Sequence, residues 1–155
     1  MLRNHGSMQR YHHNVIGYNS RLDELQAVIL RIKLKHIDDF NNNRRRVDQT
    51  YKKNLAGSGV IVPHEDGTGH HVYHQYCCLH PKRDTIMKAL QDKSIACAIY
   101  YPIPLHKQDV FAKEYAKVSM PVSEHVVTQC FALPVYPELE EDKIKLICDT
   151  IKSAL

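Results

Sequence analysis

Leu22, Leu25, Ile29 and Ile32 recur at three- and four-residue steps, and Ile37 and Phe40 continue the series. That spacing puts them on one face of an α-helix. Val28, Leu30 and Leu34 widen the stripe, so a helix of this kind is expected to bury itself against more than one surface. Asn19 or Ser20 is placed to cap its start, with Asp23 and Glu24 in the first turn, where carboxylates favour the helix dipole. The run Asn41-Asn42-Asn43 is expected to bend or break it. Val47, Tyr51 and Leu55 then resume an i, i+4 pattern, and Gly57 suits a C-cap. Before the helix, residues 1–21 are polar, rich in His, Asn and Gly, and without clear periodicity. They read as an irregular interface segment that a partner surface must order.

After the helix, strand and helix patterns alternate irregularly. Val60-Ile61-Val62 is a short apolar run ended by Pro63, and a loop of turn composition follows over 64–69. Residues 71–79 and 95–101 have strand content, and 83–93 have helical spacing at Ile86, Met87 and Leu90. Pro102 and Pro104 forbid regular structure. A short helix is expected over 109–116 and another over 122–130, capped by Ser123. A brief strand at 131–133 stops at Pro134. An amphipathic helix closes the chain over 140–155, with Ile144, Ile147 and Ile151 on one face. The expected fold class is α+β: a small, mostly antiparallel sheet with helices on one face and a long N-terminal helix. The expected organisation is an interface segment (1–21), a linking helix (22–56, broken near 41–43) and an α+β small domain (57–155).

Composition narrows the function classes. Hydrophobic residues at 43% and charged residues at 25% give a globular balance rather than a disordered one. No apolar run approaches the roughly 18 residues that span a bilayer, and the N-terminus lacks an apolar signal region. The five cysteines are an odd count with two adjacent, which fits reduced thiols and a cytoplasmic location. Cys77 and Cys78 read as small core or sheet residues. Much of the excess behind the net charge of +4 lies between Arg31 and Lys53, with Arg44-Arg45-Arg46 as the densest cluster. A phosphate or nucleic-acid patch and a solvated helix face both fit that cluster. The interleaved Asp38, Asp39 and Asp48 favour the solvated face, so no nucleic-acid partner is expected.

Three features invite chemistry. His70-His71-Val72-Tyr73-His74 suggests metal ligation, but read as a strand it puts His70 and His74 on one face and His71 on the other. No HExxH, CxxC, GxGxxG or GxxxxGK[ST] pattern accompanies it, so neither a metal site nor a nucleotide-binding loop is expected. Gly17-Tyr18-Asn19-Ser20-Arg21 stands just before the long helix, where an amide and free N–H groups suit either a cap or a phosphate. Tyr100-Tyr101-Pro102-Ile103-Pro104-Leu105-His106 has two prolines that stiffen the path between Tyr101 and His106. That path is either a structural turn or a rigid mount for those two side chains.

Together these segments carry a family resemblance. Leu2-Arg3-Asn4-His5-Gly6 with the stretch from Tyr11 to Ala27, the 100–106 segment, and Leu133-Pro134-Val135-Tyr136-Pro137-Glu138-Leu139 occur in the order and spacing of DegT/StrS-type sugar aminotransferases. The resemblance implies the C-terminal portion, including the small domain, of a type I (aspartate aminotransferase-like) enzyme that uses pyridoxal phosphate. Such enzymes are homodimers that move an amino group, usually from glutamate, to a nucleotide-linked keto sugar. Their products serve polysaccharide or cell-wall biosynthesis. The family's Schiff-base lysine lies upstream of the Arg3-Asn4-His5-Gly6 segment, and Met1 stands immediately before it. The resemblance therefore implies that the chain alone has no catalytic lysine, lacks activity and does not bind the cofactor by itself. It leaves room for a non-catalytic binding or assembly module that pairs with a separately encoded N-terminal half. By position, Asn19 matches a cofactor-phosphate contact to the opposite subunit, and Arg21 supports that turn or an anion. Tyr101, His106 and His13 match substrate-side positions.

Overall fold

The computed structural model describes residues 1–9 and 11–155. The chain divides into two compact units, Met1–Asp38 and Asp39–Leu155. Among the described residues no helix is long and apolar enough to cross a membrane.

The first unit is more regular than its composition suggests. Strand β1 (Ser7–Gln9) pairs antiparallel with β2 (His12–His13) through an irregular register. Upstream, Asn4 bridges Asn19 antiparallel. Tyr18 N donates to Leu2 O at 2.8 Å, His5 N to Tyr18 O at 2.9 Å and Ser20 N to Arg3 O at 2.9 Å. Residues 2–9 are thus paired along their length by the chain's own backbone, because unpaired peptide groups would have to be left to water. This pairing corrects the expected helix start. Asn19 and Ser20 are held extended, and the N-cap passes to Asp23, whose Oδ1 accepts from Leu25 N at 2.8 Å.

Helix α1 runs over Glu24–Leu34 and α2 over Ile37–Leu55. The interruption falls at Lys35 and His36, whose N–H groups turn back to Ile32 and Lys33. The three asparagines lie inside α2 instead. Each costs a helix only about 0.5–0.7 kcal/mol relative to alanine, which packing further along α2 offsets. Every large apolar residue of α1 is at least half exposed, including Leu25, Ile29 and Ile32.

The second unit is built on β3 (Tyr76–Leu79) and β4 (Cys130–Leu133), paired antiparallel with Tyr76 opposite Leu133. Ile61 bridges Leu79 on one side and Ala98 bridges Ala132 on the other. The layer is therefore four backbone segments, all antiparallel, of which two are full strands. The expected strand over 71–79 is shortened because Tyr73 has a positive φ of 46° and its N–H is taken by His71 Nδ1. The expected strand over 95–101 reduces to the Ala98 bridge, since Ile95 N returns to Leu90 O and Pro102 follows. The helix expected over 109–116 is a single 3-10 turn at Asp109–Phe111. Helices α3 (Arg83–Asp92), α4 (Pro121–Gln129) and α5 (Glu141–Ser153) complete the unit.

Alternation along the strands sends Tyr76, Cys78, Phe131 and Leu133 into one core. There they meet Val47, Tyr51 and Leu55 of α2, Ile86 and Leu90 of α3, and Ile144, Ile147 and Ile151 of α5. Tyr51 stacks on Tyr76 with ring centroids 4.8 Å apart, and its Oη donates to Pro134 O at 3.0 Å.

One acid is buried at this core. Asp48 Oδ2 accepts from Lys52 Nζ at 2.8 Å and from Tyr73 Oη at 2.8 Å, while Oδ1 accepts from Tyr76 Oη at 3.0 Å. Tyr73 Oη also lies 2.7 Å from Glu65 Oε1, and Glu65 is gripped by Arg45 Nη1 and Nη2 at 2.9 and 3.2 Å. Burial, then the neighbouring acids, push the Tyr73 phenol far above its usual range. The arginine cluster is consequently not a solvated face. Arg45 clamps the 64–73 loop, and Arg46 Nη2 donates to Leu139 O at 3.1 Å. Replacing Asp48 by alanine leaves the buried Tyr76 phenol without its acceptor and removes the Tyr73 and Lys52 contacts, which is expected to cost on the order of 3 kcal/mol. Urea unfolding of the chain measures it, and a loss below about 1 kcal/mol would show that the acid carries no such role.

Candidate functional site

The paired backbone of the first unit leaves no room at two glycines. A Cβ at Gly6 would overlap Val15 O, and one at Gly17 would overlap Gly6 N. Gly6 also has a positive φ of 75°. These two residues let residues 2–6 and 15–20 close on one another, and that closure fixes the side chains around it. His13 Nδ1 donates to His5 O at 2.9 Å, so its Nε2 is left as an exposed acceptor in the neutral ring. Asn19 is exposed and paired through its backbone with Asn4. Arg21 lines an open polar cleft of about 610 Å³ with Arg3, Asn4 and Ser7. The cleft holds two guanidinium groups, a hydroxyl and an amide, and among the described residues neither arginine is in an ion pair. A donor set of that kind suits a phosphate.

Tyr101 and His106 lie in the second unit. Tyr101 is 68% exposed at the start of the proline-stiffened loop. His106 is buried in a 3-10 turn at Leu105–Lys107, 7% exposed. Its Nε2 donates to Glu124 Oε1 at 2.9 Å. The same oxygen accepts from Met120 N at 3.0 Å, and Lys107 Nζ lies 3.6 Å away. One carboxylate thereby ties the end of the loop to the first turn of α4. Met120's N–H first, and His106 second, hold the Glu124 carboxyl below the usual range.

Glu124 escaped the sequence reading, which gave the cap to Ser123. The usable signal was Pro121, which opens a helix at its first position, with an acid in the first turn behind it. Arg3 was missed as well, because nothing in its local pattern marks it as facing Arg21. The His70, His71 and His74 run does not lie in a strand, so the alternation of faces does not apply. His71 Nδ1 is used by Tyr73 N, and no group of three or more candidate ligands converges among the described residues.

The fold and these side chains can be set beside known proteins. The model of the DegT/DnrJ/EryC1/StrS aminotransferase family matches residues 1–152. The UDP-N-acetyl-3-dehydro-alpha-D-glucosamine 3-aminotransferase of Acidithiobacillus ferrooxidans is 46% identical over 154 residues, covering 99% of this chain and 42% of that protein. The pleiotropic regulatory protein of Geobacillus stearothermophilus is 41% identical over 155 residues, covering 97% of this chain and 42% of its own length. Among solved structures, S. venezuelae DesV in complex with a ketimine intermediate superposes with a TM-score of 0.92 at 35% identity, over 99% of this chain and 42% of that one. The chain thus spans about 42% of the length of the relatives it matches.

Glu124 gives a pH test of the loop anchor. A carboxyl held below its ordinary range when folded adds stability that is present above that range and lost as pH falls through the folded value. Glu124→Gln is expected to lower the urea midpoint near neutral pH and to flatten its decline into acid. An unchanged acid decline in the variant would remove Glu124 from that role.

Proposed function

The chain belongs to the DegT/DnrJ/EryC1/StrS aminotransferase family, and on that premise we propose that it is part of an enzyme that uses pyridoxal phosphate to move an amino group onto a nucleotide-linked keto sugar. Glutamate is the proposed donor. The observation that carries the reading is the superposition on DesV across nearly the whole chain at 35% identity. In this reading the second unit is the C-terminal small domain of a type I enzyme. The named activity of the Acidithiobacillus relative makes a UDP-linked 3-oxo-N-acetylglucosamine the first substrate to try.

The donors of the first unit fit the cofactor's phosphate. Arg21 and Arg3 would bring positive charge, Ser7 a hydroxyl, and Asn19 a neutral amide toward the opposite subunit. When bound, pyridoxal phosphate supplies the electron sink for amino transfer. This chain's own residues bind and orient. Tyr101 would offer its exposed ring and hydroxyl to the sugar nucleotide, and His13 its free acceptor nitrogen. His106 would hold the loop in place through Glu124.

No lysine of the chain stands in the family's Schiff-base context, so residues 1–155 are proposed to be inactive by themselves. Purified chain mixed with pyridoxal phosphate, glutamate and the 3-oxo UDP-sugar is expected to form neither a lysine-bound chromophore nor 2-oxoglutarate. The same mixture with a protein that also carries the N-terminal part is expected to form the amino sugar. Turnover by the chain alone, or none by the longer protein on any keto sugar nucleotide, would contradict the reading.

A second reading is favoured by the exposed apolar residues of α1, which have no cover in the chain as described. It makes the chain an assembly module that pairs with a separately encoded N-terminal half, or with itself as a homodimer. The isolated chain is expected to sediment as a dimer at high concentration. A monomer throughout would contradict pairing of these helices.

A further inference from the structure

Cys77 and Cys130 occupy neighbouring strands. The register sets Cys77 opposite Ala132 and Leu79 opposite Cys130. The two cysteines are therefore diagonal neighbours on the sheet face opposite Tyr76, Cys78, Phe131 and Leu133. Cys130 lies close enough to Cys77 to disfavour ionisation of its thiol. Cys130 Sγ also donates to Tyr100 O at 3.4 Å. Cys130 thereby links the strand pair to the carbonyl at the base of the 100–106 loop.

We propose that Cys77 and Cys130 form a reversible cross-strand disulfide in the presence of a hydroperoxide, and that the new bond frees the Tyr100 carbonyl from its thiol partner. Cys77 is the partly exposed member and Cys130 the buried one, so Cys77 meets the oxidant first. Its thiolate attacks the peroxide oxygen, the O–O bond breaks, and an alcohol or water leaves with a sulfenic acid on Cys77. Cys130 sulfur then attacks the Cys77 sulfur, expelling water and closing the S–S bond. The peroxide gains the two electrons that the two thiols lose, and their two protons leave in the alcohol and the water.

The other thiols are placed differently. Cys78 faces the core, Cys148 lies in the core on α5, and Cys97 Sγ is directed to Met87 O at 3.8 Å. Diagonal positions lie about 7–8 Å apart in a regular sheet, wider than a relaxed disulfide prefers, so the bond draws the strands together and is easily reduced. That property belongs to a labile switch rather than a structural staple. Burial, then Cys130, push the Cys77 thiol up to about 11, which makes its oxidation slow at neutral pH and faster in base. Loss of the Cys130 proton removes the donor to Tyr100, next to the exposed Tyr101. The consequence for substrate rests on the aminotransferase reading, whereas the disulfide does not.

The test treats the reduced chain with hydrogen peroxide, alkylates the remaining thiols and maps peptides by mass spectrometry. The expected product links Cys77 to Cys130, is lighter by two hydrogen atoms and reverts with dithiothreitol. Its rate should rise roughly tenfold per pH unit between about pH 7 and 9. Cys130→Ser should instead trap a sulfenic acid on Cys77 that reacts with dimedone. In nitrogen-edited spectra the Tyr101 amide should move on oxidation of the native chain and stay in place in Cys130→Ser, whose hydroxyl keeps the donor. Five alkylatable thiols after peroxide, or a disulfide joining any other pair, would overturn the proposal. A Tyr101 amide that ignores the disulfide would overturn its coupling to the loop.

Discussion

The buried carboxylate of Asp48 is the interaction on which the second unit depends. An acid in an apolar core is tolerated only when its lone pairs are met, and here Lys52, Tyr73 and Tyr76 meet them. Those partners come from α2 itself, from the loop before β3 and from β3. One side chain therefore fixes how the helix, the loop and the sheet fit together. Glu65 and Arg45 extend the same network to the surface, which is why Tyr73 can hold a left-handed backbone and cut short the strand that its sequence suggests.

The first unit is held by a different constraint. Its strands are short and its side chains mostly exposed, so backbone pairing and the absence of two Cβ atoms do what a core does elsewhere. Gly6 and Gly17 allow the approach, and the approach fixes Arg3 near Arg21 along one cleft. A rigid mount for positive charge is what a phosphate site requires. In the second unit the counterpart is the loop after Tyr100, stiffened by prolines and fastened at its far end by His106 and Glu124. Both sets of residues are thus positioned by local devices that need little apolar burial.

The periodic parts of the fold were legible in the sequence. The spacing of Ile86 and Leu90, and of Ile144, Ile147 and Ile151, located α3 and α5 because burial imposes the helical period. The irregular parts were not. Nothing in the composition of 71–75 announces the turn at Tyr73, since it depends on an acid at position 48 and another at 65. The cap at Asp23 was hidden because Asn19 and Ser20 are equally good caps by residue type, and only the pairing with Asn4 and Arg3 disqualifies them. Of the candidate site, Asn19, Arg21, Tyr101 and His106 were marked by likeness to a family, while Arg3 and Glu124 became visible only as neighbours in space.

The first unit is proposed to present its donors to a cofactor phosphate. The most direct measurement is a crystal structure of the complete protein with pyridoxal phosphate bound. Arg21 and the amide of Asn19 are expected within hydrogen-bond distance of the phosphate oxygens, with Asn19 arriving from the opposite subunit. A phosphate held wholly by other residues, with Asn19 and Arg21 turned to solvent, would contradict it.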